Sequence, residues 1–159
     1  MKHLFFRINQ LREKYSDKIF SLFNSLKQEF EINSLSIFGE YFGGYYPHKK
    51  VKKDPLAKTV QKGVYYLPNN ELYAFDILLN GHIYLDVDIC NRLFHEFGFV
   101  YAESLFRGNL RESLNYQNDF QSTIPDKFKL PIIEETAIPD LAYTVSLLFL
   151  KLKSRLGLK

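Results

Sequence analysis

The chain is short of the residues from which disulfides, metal centres and membrane anchors are built. A single cysteine in 159 residues, Cys90, excludes an internal disulfide and fits a reducing compartment. At an apolar helical position it reads as a small core residue rather than a nucleophile. The four histidines, His3, His48, His82 and His95, show no paired ligand spacing, and one cysteine cannot complete a zinc cluster. Asp86 and Asp88 are spaced like a metal pair, but a helix cap and a first-turn charge account for both. Gly43-Gly44 is not followed by Lys-Ser or Lys-Thr, which excludes a P-loop, and there is no Ser-His-Asp elbow. The start, Met1-Lys2-His3-Leu4-Phe5-Phe6, lacks the apolar run and cleavage site of a secretory signal. The apolar stretch over residues 141–150 is far below the roughly 20 residues a membrane span needs. A soluble, intracellular chain with no membrane partner is expected. Internal repeats, low-complexity tracts and interdomain linkers are missing as well.

What is present is an ordinary globular composition, 46% hydrophobic and 25% charged, long enough to bury one core. Apolar residues recur at Ile8, Leu11, Tyr15, Ile19, Leu22, Leu26 and Phe30, the stripe of an amphipathic helix packed on a sheet. A strand is predicted near residues 35–42. A hairpin is predicted from residues 63–67 and 72–79 around Pro68-Asn69-Asn70, and Asn80-Gly81 predicts a tight turn into His82-Ile83-Tyr84. Asp86 can cap a second helix with the stripe Val87, Cys90, Phe94 and Phe97, stopped by Gly98, with His95 at the surface. Residues 99–102 read as a strand, and Asn109 as the cap of a short helix through Tyr116. Ile124-Pro125, Leu130-Pro131 and Ile138-Pro139 punctuate an extended tail. Helices interspersed with hairpins predict an α+β fold with largely antiparallel sheets.

Two segments place a carboxylate inside an apolar, aromatic strand: Ser36-Ile37-Phe38-Gly39-Glu40-Tyr41-Phe42-Gly43-Gly44 and Glu71-Leu72-Tyr73-Ala74-Phe75-Asp76-Ile77. Alternation puts Glu40 on a face with Phe38 and Phe42, where a charge is costly unless hydrogen-bond donors satisfy it. In the second segment Tyr73, Phe75 and Ile77 share one face, and Leu72, Ala74, Asp76 and Leu78 the other. Ribose hydroxyls would suit Glu40 and a purine would suit the Phe75 ring. The same spacing also fits a core phenylalanine and a strand-end glutamate paired with a lysine. The net charge is only +3, but His48-Lys49-Lys50-Val51-Lys52-Lys53 gathers four lysines into six residues. Such a loop is either solvated or set against a phosphate backbone, where it would give salt-dependent RNA binding.

Phe38-Gly39-Glu40 with Phe42-Gly43-Gly44 resembles motif III of the RNA ligase 2-like family, the ATP-dependent RNA ligases of phage and kinetoplastid RNA-editing type. Tyr46-Pro47-His48 resembles the segment after it, and Val60-Gln61-Lys62-Gly63-Val64-Tyr65-Tyr66 through Phe75-Asp76-Ile77 resembles the approach to motif IIIa. The resemblance runs from about Leu35 to Asp140 and implies a nucleotidyltransferase domain. In that family a lysine takes AMP from ATP with Mg²⁺, passes it to an RNA 5′-phosphate, and a 3′-hydroxyl seals the strand. Carried over, Glu40 would contact the ribose and Phe75 would stack on adenine. Phe38, Gly39 and Asp76 would support the pocket, and Lys49, Lys50, Lys52 and Lys53 would face RNA.

The family's nucleophile motif, Lys-x-x-Gly, is missing: none of the eight glycines follows a lysine by three residues. After Ile138-Pro139-Asp140 the expected Glu-Gly motif is replaced by Leu141-Ala142-Tyr143-Thr144-Val145-Ser146, and no context makes Lys151 or Lys153 the final motif lysine. The sequence therefore divides into a partial ligase-like domain over residues 1–140 and an atypical tail over 141–159, either truncated, out of frame, or a helix serving as a cap or dimer surface. The chain alone is expected not to adenylate itself. The alternatives are a non-catalytic RNA- or nucleotide-binding module and a gene remnant.

Overall fold

In a computed structural model, which describes residues 2–116 and 122–133, the apolar stripe from Leu11 to Leu26 becomes the inward side of a long helix, α1 (Lys2–Glu29). Tyr15, Leu22 and Leu26 are buried, with Leu11 and Ile19 packed partly against the same core. Phe30 departs from the expectation: it lies past the helix end and is 52% exposed. The remaining elements are β1 (Leu35–Gly43), β2 (Asn70–Leu79), β3 (Ile83–Tyr84), α2 (Val87–Glu96), α3 (Leu110–Asn115) and α4 (Ile124–Lys127). Helices with a small antiparallel sheet, in the order β1-β2-β3, make the fold α+β. The chain divides into one unit of Met1–Tyr41 with Glu71–Glu103, and a second of Phe42–Asn70 with the stretch from Ser104 onward. The tail over 141–159 and the Ile138-Pro139 step lie outside the described residues.

In the first unit the Asn80-Gly81 turn forms as the sequence predicts. Both residues adopt left-handed backbone, φ 51° and 74°, and His82 N donates to the Leu79 carbonyl at 3.1 Å. Primed turns of this kind match the twist of an antiparallel pair, here Leu79 opposite Ile83 and Leu78 opposite Tyr84. The Asn80 side chain also accepts from Asn33 N at 2.7 Å and donates to the Glu31 carbonyl at 3.2 Å, tying the turn to the α1–β1 connection.

Asp86 caps α2 by accepting from Asp88 N, and Gly98 follows the helix at φ 67°. The buried side is Cys90, Leu93 and Phe94, whereas Val87 is 46% exposed, so the stripe begins one turn later than its spacing suggests. Residues 99–102 make a single parallel bridge, Ala74 to Tyr101, in place of a full strand. Ala74 N donates to the Val100 carbonyl and Ala102 N to the Ala74 carbonyl, both at 2.8 Å.

The predicted hairpin arm over 63–67 is not a strand; β2 lies between β1 and β3 instead. The reason lies in the second unit, where the Leu67 and Asn69 carbonyls accept from Gly44 N at 3.0 and 2.9 Å and close a loop rather than a ladder. Also in that unit, Asn109 and Glu112 form a reciprocal capping box on α3. Ile124-Pro125 opens the short α4, where the sequence suggested extended chain, because proline is tolerated in a first helical turn. Among the described residues no helix is long and apolar enough to cross a membrane.

One buried charge organises the first unit. Glu71 is 4% exposed, and its carboxylate accepts from the Tyr15 hydroxyl at 2.7 Å and from Lys14 Nζ at 2.5 Å. The Tyr15 ring stacks on Phe99 with centroids 5.4 Å apart, and Lys18 lies over both rings while donating to the Gly98 carbonyl. Burial of Glu71 is tolerable only with these donors. Glu71→Ala is therefore expected to lower stability by about 1–3 kcal/mol in urea unfolding, and Lys14→Ala by less than about 1 kcal/mol, because Lys14 is half exposed.

Burial, with the Glu71 carboxylate beside it, raises the Tyr15 hydroxyl above its ordinary range. Burial, with the Glu103 and Tyr101 charges, pushes Tyr73 up to about 12. Both phenols stay protonated in the folded chain after the unfolded chain has begun to ionise near its ordinary value of 10.0. Stability is thus complete below that pH and falls as pH rises toward 12. Unfolding midpoints measured from pH 8 to 11.5 should drop above pH 10, and the drop should be shallower in Tyr73→Phe.

Candidate functional site

β1 draws on residues suited to a pleated, half-buried surface, Leu35, Ile37, Phe38, Tyr41 and Phe42, with one glycine inside it. Gly39 is required by the approach of β2: a Cβ there would stand 2.6 Å from Leu72 Cδ1 and 3.1 Å from the Tyr73 carbonyl oxygen. The two strands that carry the predicted carboxylates are therefore neighbours.

Which face each residue takes follows from the core. Leu35 and Ile37 of β1 pack with Leu72, Ala74, Ile77 and Leu79 of β2. Alternation then sends Phe38 and Glu40 to the opposite, outer face. On β2 Glu71, Tyr73, Ala74, Ile77 and Leu79 are buried, so both faces of the strand are covered around Tyr73 and Ala74. Phe75 is half-buried. Asp76 is half-buried too, with its Oδ2 fully enclosed.

The outer face is aromatic and partly open. Phe38, Glu40 and Phe75 are all half-buried, and the Phe38 ring lies 5.9 Å from that of Tyr84, which is 57% exposed. Glu40 and Phe75 thus stand half-buried on paired strands. Among the described residues, no group of three or more His, Cys, Asp or Glu is gathered to share a metal ion.

The predicted lysines belong to the second unit. Lys49, Lys50, Lys52 and Lys53 are all exposed, on a loop whose base is closed by Gly43 and Gly44. These glycines adopt φ 84° and 99°; Cβ atoms would meet the Asn69 carbonyl at Gly43 and the Lys58 carbonyl at Gly44. Val60 N donates to the Gly43 carbonyl at 3.1 Å. The Asn70 amide clamps Lys58 from both sides, accepting from its N–H at 3.1 Å and donating to its carbonyl at 2.9 Å. Tyr46 is buried beneath the loop and donates its hydroxyl to the Pro131 carbonyl at 2.6 Å. Burial, with the Asp126 charge, raises that hydroxyl's pKa.

Inside the loop lies a concavity of about 350 Å³, with Tyr45, Lys53, Asp54 and Lys58 in its lining. Lys53 Nζ stands 5.5 Å from the Tyr45 ring centroid, and the Tyr65 ring meets Tyr45 edge-on at 5.6 Å. Sequence reasoning found the lysines but missed Tyr45, Asp54 and Lys58. Gly43-Gly44, a pair able to admit two close backbone approaches, was the available signal.

No family model matches the chain, and no curated protein matches it.

Gly44→Ala is expected to cost more than ~1 kcal/mol and to open the loop, because it adds both a disfavoured φ and a backbone clash. Limited trypsin digestion should cut faster after Lys49–Lys53 in Gly44→Ala than in Gly63→Ala, whose φ is also positive but which has open space around it.

Proposed function

We propose that the chain is part of an RNA ligase-like nucleotidyltransferase domain, of the class that joins RNA 3′-hydroxyl and 5′-phosphate ends with ATP. It keeps an adenosine seat on the outer face of β1 and β2. The observation that supports this is the pairing of β1 with β2, which sets the strands of Glu40 and Phe75 side by side with both residues half-buried. Glu40 accepts from the ribose hydroxyls, where a half-buried carboxylate gains charge-assisted hydrogen bonds. Phe75 offers its ring to the adenine. Phe38 and Gly39 shape the near wall, and Asp76 supports the pocket from β2. Mg²⁺ would offset charge on the nucleotide's phosphates; among the described residues no carboxylate cluster is gathered for it, so those phosphates and water would carry it.

The chain's own residues therefore bind and orient, and none is set up as the attacking nucleophile, since no lysine stands in a Lys-x-x-Gly context. A second reading, a non-catalytic RNA-binding module, is favoured by the closed lysine loop of the second unit and needs no adenosine at all.

Incubation with radiolabelled ATP and Mg²⁺, followed by denaturing electrophoresis, should leave the chain unlabelled; a covalent AMP band would refute this and expose another nucleophile. Equilibrium dialysis should detect AMP binding that weakens about tenfold in Glu40→Gln, as expected for hydrogen bonds to a charged group. Unaltered binding in a folded Glu40→Gln would remove Glu40 from the seat.

A further inference from the structure

We propose that the concavity inside the lysine loop is a binding site for single-stranded RNA, seating one unstacked nucleotide against Tyr45 with its phosphate between Lys53 and Lys58. This rests on the nucleic-acid part of the function proposed above, and not on the adenosine seat in the other unit.

Four observations converge on it. The cavity, at about 350 Å³, lies at the small end of the ~300–1,000 Å³ typical of ligand pockets, which suits a single nucleotide unit. A lysine ammonium already rests against an aromatic ring at its wall, the Lys53–Tyr45 pair. A nucleotide satisfies both partners of such a pair, its base taking the ring and its phosphate the ammonium. Tyr65 braces Tyr45 edge-on, so the ring is held as a platform rather than left to rotate. Finally, the base of the loop is fixed by main-chain hydrogen bonds of Gly43 and Gly44 and by the side-chain amide of Asn70, so the cavity precedes its ligand and little ordering is required on binding.

The number of cations decides for a polymer over a free nucleotide. Lys53 and Lys58 are enough for one phosphate, and Lys49, Lys50 and Lys52 stand exposed on the same loop for its neighbours. A duplex keeps its bases stacked and paired, whereas a single strand can turn one base into a cavity and lay it on an aromatic ring. Asp54 in the lining would repel a phosphate, but its carboxylate, whose Oδ1 accepts from Leu56 N at 2.9 Å, can also accept from a base amino group or a ribose 2′-hydroxyl. The nucleotide therefore enters with its phosphate toward the lysines and its sugar or base edge toward Asp54, an orientation that favours RNA over DNA.

The test is fluorescence anisotropy of the full chain with a labelled ten-nucleotide RNA, alone or annealed to its complement, over a range of salt. The single strand should bind at least tenfold more tightly than the duplex, and than DNA of the same sequence. Tyr45→Leu should lose about tenfold for the single strand at an unchanged salt slope. Lys53→Gln should lower that slope by about 0.7, the share of one phosphate contact. If Tyr45→Leu is poorly folded by circular dichroism, Tyr45→Phe replaces it and should bind like the wild type, while Lys53→Gln alone still reports the phosphate contact. Equal affinity for duplex and single strand, wild-type binding by a folded Tyr45→Leu, or an unchanged salt slope in Lys53→Gln would each overturn the proposal. AMP binding measured separately by dialysis reports on the adenosine seat where it is weakened by Glu40→Gln and kept in Lys53→Gln, so the two readings fail independently.

Discussion

A carboxylate buried where water cannot reach it dictates the arrangement of everything that must supply its donors. Glu71, at the start of β2, meets Tyr15 and Lys14 from α1, and Tyr15 in turn stacks on Phe99 beyond α2. Helix, central strand and the segment that bridges to Ala74 are thereby held in one register. Apolar packing tolerates sliding by a methyl group or so, whereas a charge held by two donors does not, because a displaced carboxylate stays buried and loses its partners. The outer face of the sheet owes its composition to this fixed register. With β2 unable to shift, its neighbour β1 keeps a fixed partner.

The long elements could be read in the sequence because their signals are local. The α1 stripe, the Asp86 cap, the Asn109 cap and the Asn80-Gly81 turn each depend on residues within a few positions of one another, and each forms. The failures share a cause too. Residues 63–67 look like a hairpin arm by composition, yet the Leu67 and Asn69 carbonyls are claimed by Gly44, far away in sequence. Phe30 continues the helical spacing but falls past the end of α1 and is left half-exposed.

The candidate sites divide along the same line. Glu40 and Phe75 stood out as polar or aromatic interruptions in strand patterns, and their strands do lie side by side. That pairing could not be read, since which strand lies beside which leaves no mark in the residue types of either. Glu71 gave no signal, because nothing in Glu71-Leu72-Tyr73 announces that two donors fifty-odd positions earlier will fold over it. In the lysine loop the charge was plain and the concavity was not, being made by Tyr45, Asp54 and Lys58 converging through contacts distant in sequence.

The closure of that loop has an evolutionary side. The bonds at its base run between main-chain groups of Gly43, Gly44, Lys58, Val60, Leu67 and Asn69, with the single side chain of Asn70 among them. Main-chain partners do not read the identity of the residues between them. The exposed residues from Lys49 to Lys53 can therefore change, and with them what the loop recognises, while its two ends stay fastened in place. Variation is left free at the surface that meets a ligand and penalised at two glycines, one asparagine and the buried Tyr46.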